Sequence, residues 1–176
     1  MEVLTIRDYL PLLGVMIGGV LGIAGSLLSQ AWLESYRTRK AREMLALAFE
    51  REIGALLQII ETRAYVTALR HAREQTEKLG VVHPYFFRAR RGYFNVFEAN
   101  VGRIGTLQSP LPLLVSRFYT QANAIIEDME VFEGVDPAGI DPKVAVTAYD
   151  QLLVIFQSMI ATGHDVIVEI SRLYPR

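Results

Sequence analysis

The hydrophobic positions change rhythm along the chain, and each rhythm implies a different neighbour. From Tyr9 to Leu33 there is no charge, and residues 14–26, GVMIGGVLGIAGS, set five glycines and a serine inside that apolar run. Tyr9 to Trp32 covers roughly 34 Å at about 1.5 Å per residue, slightly more than a hydrocarbon core of about 30 Å. The run therefore predicts a transmembrane helix, with Tyr9 and Trp32, and Tyr36 beyond, at the membrane interfaces. Pro11 falls in the first turn, where a missing amide proton costs least. The competing reading is a cleaved signal peptide, with Gly22, Ala24 and Ala31 as small residues near candidate cleavage points. Glu2 and Asp8 beside a lone Arg7, together with the length of the apolar run, argue against it.

A glycine in a helix interior costs about 1 kcal/mol against alanine, so this density calls for compensating packing. Gly14, Gly18, Gly22 and Ser26 recur every four residues, with Gln30 continuing the row. In lipid such a small-residue stripe lets helix backbones approach closely. The stripe predicts membrane-helix packing and a homo-oligomer, and Gly19 and Gly25, partly off it, imply neighbours on more than one side. The plainer account is that glycine is simply frequent in membrane helices.

Beyond Leu33 the period becomes that of amphipathic helices. Residues 34–79 lack proline and hold only Gly54, which predicts one continuing helix with a kink there and an apolar stripe of Phe49, Ile53, Leu56 and Ile60. Arg70 with Glu74, Arg73 with Glu77, and Glu74 with Lys78 are four-apart pairs expected on a solvated face. Gly80 ends that helix, and VVHPYFFRARRG (81–92) reads as a connection. A short helix from Tyr93, with Phe94, Phe97, Val101 and Ile104 on one face, stops near Gly105. Ser109 and Pro110 then signal a helix start, and its stripe is Val115, Tyr119, Ala122, Ile126, Met129 and Phe132. After the loop EGVDPAGIDP (133–142), residues 142–173 form a heptad seam: Ala145, Tyr149, Leu152, Phe156, Met159, Gly163, Val166, Ile170 and Leu173. The expected class is all-α: an N-terminal transmembrane helix (1–33) continuing into an antiparallel bundle of three to four long helices (34–176). In that bundle the two middle helices return along the first and the last runs out again.

Composition sharpens this picture in three ways. Of the 176 residues, 51% are hydrophobic, natural if one helix lies in lipid. The net charge of -1 gives no electrostatic footprint for nucleic acid, and none is expected as a partner. The absence of cysteine excludes disulfides, thiolate catalysis and sulfur-ligated metals. Arg37, Arg39, Lys40 and Arg42 crowd just after the span against Arg7 before it. The positive-inside rule then puts the N-terminus outside and the C-terminal domain in the cytoplasm, with the basic residues at the lipid interface.

Candidate chemistry is sparse. No glutamate precedes a histidine by three residues, the pair that a di-metal helical bundle uses. His71, His83 and His164 are scattered, and no phosphate loop, dinucleotide fingerprint or nucleophile elbow occurs. Neither an enzymatic activity, a metal nor a cofactor is expected. In YFFRARRGYF, Arg88, Arg90 and Arg91 sit among aromatics and are candidate partner- or anion-binding residues. The plainer reading has the aromatics sealing the bundle end while the arginines stay wet. Glu127, Asp128, Glu130, Glu133, Asp136 and Asp141 form an acidic stretch expected at the surface, of the right sign to meet the arginines between subunits.

At YFNVFEANVGRIGTL and SRFYTQANAIIEDM the chain resembles uncharacterised bacterial proteins with one N-terminal membrane helix and a small helical domain, over residues 45 to 135. The resemblance implies the bacterial inner membrane and brings no activity with it. The expected function is that of a membrane-anchored oligomeric scaffold or adaptor, whose partners are the lipid bilayer, further copies of itself and a docked protein. The alternative is a membrane effector of the pore-forming or phage-defence type, gated by its cytoplasmic bundle.

Overall fold

A computed structural model describes residues 6–85, 91–132 and 139–175; within these, the side chains of 6–24, 27, 28, 91, 131 and 132 lie outside the description. The chain is all-helical, with no strand among the described residues. Its α-helices are α1 (Ile6–Thr62), α2 (Tyr65–Leu79), α3 (Asn95–Asn100), α4 (Leu111–Phe132) and α5 (Pro142–Leu173), with 3-10 turns at Arg91–Tyr93 and Val101–Thr106. It divides into two compact units, residues 1–41 and 42–176.

The core of the second unit follows the apolar stripes closely. Phe49 and Ile53 of α1 and Val115, Phe118 and Tyr119 of α4 are fully enclosed, as is Leu69 of α2. The α5 seam is buried from Ala145 through Ile170 at every expected position, and only Leu173 is half-exposed. Asp141 caps α5 by accepting the Lys143 N–H at 2.8 Å, with Pro142 in the first turn. Gly80 ends α2 in a left-handed conformation at φ 65°, the geometry that glycine adopts without a Cβ clash.

α5 is also the one helix among the described residues long and apolar enough to cross a membrane. The share of its most apolar window that is buried, 28%, matches the two positions in seven that a seam provides. Asp150, His164, Asp165 and Arg172 are exposed beside that seam. Val144, Val154 and Val168 are exposed as well. The sequence-predicted span at Tyr9–Trp32 is helical in backbone, and most of its side chains lie outside the description.

Three features differ from expectation. The first long helix breaks at Arg63–Ala64 and not at Gly54. Ala64 adopts a left-handed conformation at φ 51°, its N–H bonds the Glu61 carbonyl at 2.9 Å, and the Arg63 guanidinium reaches the Tyr65 hydroxyl at 2.7 Å. No glycine or proline marks this turn, and an L-residue there bears about 1–2 kcal/mol of strain. Secondly, α4 begins at Leu111, with Pro110 just outside it and its carbonyl accepting the Leu113 N–H at 3.1 Å. Thirdly, the last helix lies along the first in the opposite direction, and does not run out again in the first helix's own sense. A Cβ on Gly163 would lie 3.2 Å from the Leu57 methyls and one on Gly54 would lie 4.0 Å from Ile167, so the partners run in opposite order and α5 is antiparallel to α1 here. Gln121–Ser158 and Phe118–Gly163 give the same antiparallel relation between α4 and α5. α2 keeps the same sense beyond the break at Ala64: Tyr65 shares a cavity wall with Phe156 and Met159, and Arg73 reaches Asp150.

Candidate functional site

Among the described residues, 25–42 of α1 behave unlike any other helical stretch. Every described residue from Gly25 to Arg42 is exposed. Trp32 is 72% accessible, Tyr36 56% and Leu33 42%. The Trp32 and Tyr36 rings stack one turn apart, 6.1 Å between centroids and 21° between planes. Arg37, Arg39, Lys40 and Arg42 follow them, all exposed. Rings with an apolar body and a polar edge, followed by cations, suit the boundary between hydrocarbon and headgroups.

The glycine stripe is placed only in part. Gly14, Gly18 and Gly22 lie on the α1 backbone with their surroundings outside the description. Ser26 is exposed, and its hydroxyl accepts from Gln30 Nε2 at 3.5 Å along the same helix. A Cβ on Gly25 would meet nothing within 4 Å.

The aromatic-arginine motif divides in the same way. Phe94 is buried, and Tyr85 and Tyr93 are half-buried against the core. The aromatics described therefore pack inward. Arg88 and Arg90, with Phe86 and Phe87, lie outside the described residues, as does the Arg91 side chain. Of the acidic stretch, Glu127, Asp128, Glu130 and Asp141 are exposed, while Glu133 and Asp136 lie outside the description.

What holds the aromatic segment is a residue that periodicity passes over. The Glu52 carboxylate accepts the Val96 N–H at 2.6 Å and the Phe97 N–H at 3.2 Å, and it takes a third hydrogen bond from the Tyr119 hydroxyl. Two otherwise unpaired donors at the start of α3 are thus satisfied from α1. Phe97 stacks on Tyr119 at 4.1 Å and 20°, and Phe94 meets the same ring edge-on at 5.5 Å. Burial, and then the bonded Glu52 carboxylate, push the Tyr119 hydroxyl well above its ordinary pKa. It serves as a neutral donor. Burial likewise raises Tyr85, whose hydroxyl donates to the Tyr65 carbonyl at 3.0 Å. A buried tyrosine needs a hydroxyl partner, so Tyr119 within an apolar stripe was the available signal for Glu52.

Two histidines expected to be apart are brought together. The chain reverses over Gly80, and the His71 and His83 rings meet edge to face at 5.9 Å. The His83 backbone is fixed on both sides: its N–H donates to Thr76 Oγ1 at 2.9 Å, and its carbonyl accepts the Tyr149 hydroxyl at 2.9 Å. His164 is exposed elsewhere, on α5. No group of three metal-ligating side chains forms among the described residues. Arg73, read as one half of a helical pair with Glu77, also reaches across to Asp150 Oδ1 of α5 at 3.0 Å.

A cavity of about 50 Å³ lies between α1, α2, α4 and α5, with Leu56, Ile60, Tyr65, Ala122, Phe156 and Met159 among its walls. Ligand pockets ordinarily span about 300–1,000 Å³. This void belongs to core packing. No family model, curated protein or solved structure matches the chain.

Proposed function

We propose that the protein is a single-pass, membrane-anchored helical scaffold or adaptor of the bacterial inner membrane, assembling through its N-terminal helix and presenting residues 42–176 as a cytoplasmic bundle for a protein partner. The observation that carries the reading is the exposure of every described residue from Gly25 to Arg42, Trp32, Leu33 and Tyr36 included. Large exposed apolar side chains call for a cover, and the charge-free run before them suits lipid. Orientation rests on Arg37, Arg39, Lys40 and Arg42, and assembly on Gly14, Gly18, Gly22 and Ser26.

Gly18→Ile puts a branched side chain on the small-residue stripe and leaves the run apolar; Leu21→Ile, off the stripe, is its control. Crosslinking in native membranes and sizing in mild detergent should lose the oligomer in the first variant alone. Equal assembly in both removes the membrane helix from the contact. A reporter active only in the cytoplasm, fused after Arg176, should be active, and silence there reverses the topology.

A further inference from the structure

Trp32, Tyr36, Arg37 and Arg39 form a collar on α1, and we propose that it binds the headgroups of anionic phospholipids, so that lipid charge fixes the depth at which the helix leaves the bilayer. The inference rests on the membrane-anchor reading and names the lipid class that this surface takes. All four residues are exposed, and Trp32 and Tyr36 hold each other in a stack.

The axial spacing fits a headgroup layer. At about 1.5 Å per residue, Arg37 and Arg39 stand about 7.5 and 10.5 Å beyond Trp32. Each headgroup layer is about 5–8 Å deep. With the indole at the hydrocarbon edge, the guanidinium groups reach the phosphate plane by bending back along their own stems. Arg39 also lies close to the same angular position as Trp32 and Tyr36, seven and three residues on, so ring and cation address one strip of surface. Charge points the same way. Glu34 is the one carboxylate between Trp32 and Ala41, against Arg37, Arg39 and Lys40. A guanidinium offers a planar fork of donors matched to a phosphate. Phosphatidylcholine carries its own cation and offsets this attraction, whereas an anionic headgroup does not.

Trp32 is the only tryptophan in the chain, so its fluorescence reports this collar directly. The full-length protein is reconstituted in vesicles mixing phosphatidylcholine and phosphatidylglycerol, with bromine on the acyl chains of one lipid or the other at equal mole fraction. Brominated phosphatidylglycerol should quench Trp32 more strongly, and high salt should erase the difference. The double variant Arg37→Gln, Arg39→Gln should reduce the preference about fivefold for each arginine removed. Both positions are exposed, and unchanged thermal unfolding by circular dichroism confirms that the variant is folded. Equal quenching by the two lipids in the parent overturns the inference and leaves the anchor standing. A Trp32 that neither lipid quenches overturns the anchor and the inference together.

Discussion

α1 meets two environments along one helix. Between Leu45 and Ile60 it alternates closed and open positions, with Ala46, Phe49 and Ile53 wholly enclosed and Leu56 and Ile60 half-buried around the cavity. Between Gly25 and Arg42 every described position is open, including an indole and a phenol. Both stretches are helical and both carry large apolar side chains. The difference teaches that periodicity identifies a face, while the rest of the chain decides whether anything covers it. α4 and α5 supply the cover for the inner stretch, and for the outer stretch the proposed cover is lipid.

The sharpest way to break that comparison is to delete one aromatic from each stretch. Phe49 is fully buried and meets the Tyr119 ring at 6.1 Å, so Phe49→Ala should destabilise residues 42–176 by about 3–5 kcal/mol. Phe156→Ala, removing a seam residue of α5, should fall in the same range. Trp32→Ala should stay within about 0.5 kcal/mol. Urea unfolding in detergent, followed by circular dichroism, measures all three. A Trp32→Ala cost that rivals the Phe49→Ala cost would mean that the outer stretch packs on protein after all.

A charged residue from each stretch makes the second test. Glu52→Ala leaves the Val96 and Phe97 N–H groups and the Tyr119 hydroxyl without their shared acceptor. The expected cost is about 1.5–3 kcal/mol, with faster amide exchange at Val96 and Phe97. Arg39→Ala, on an exposed position, should leave stability within about 0.5 kcal/mol. Unchanged exchange at Val96 in the Glu52 variant would show that α3 is held by its rings alone.

The sequence made these two charges hard to rank, because ranking depends on reach. The α5 seam was fully legible, since a heptad repeat needs only local spacing, and Gly80 was legible as a helix end because its left-handed conformation favours one residue type. Glu52 was not legible, because two of its three partners are backbone N–H groups 44 and 45 residues away, and a backbone group leaves no mark in a sequence. The break at Ala64 was hidden for the opposite reason: the residue standing in the turn is one that helices prefer. The meeting of His71 and His83 depends on the chain reversal at Gly80, which spacing alone does not aim. Tyr119 and Tyr149 did carry a signal. Each is a phenol on an apolar face, and each hydroxyl has a partner far along the chain, Glu52 for Tyr119 and the His83 carbonyl for Tyr149.

Three glycines give the smallest and most discriminating effects, because one substitution meets three surroundings. At Gly163 an added Cβ would lie 2.9 Å from Phe118 Cε2 and 3.2 Å from both Leu57 methyls. Phe118 is fully buried with its ring edge-on to Tyr119 at 5.2 Å, so it has little room to withdraw. Gly163→Ala should therefore cost about 1–3 kcal/mol through overpacking, even though alanine is the better helix former. At Gly54 the nearest atom would be Ile167 Cδ1 at 4.0 Å, an ordinary contact. Gly54→Ala should stabilise by about 0.5–1 kcal/mol, because the unfolded chain loses freedom and nothing in the fold must move. Gly25→Ala meets nothing within 4 Å and should leave the unfolding of residues 42–176 within about 0.5 kcal/mol. Opposite signs at Gly163 and Gly54 would establish that the seam closes to glycine distance where α5 crosses Leu57 and Phe118. A gain at both positions would mean that the helices relax apart at that crossing, and that the seam is held by its larger members, Phe156 and Met159 among them.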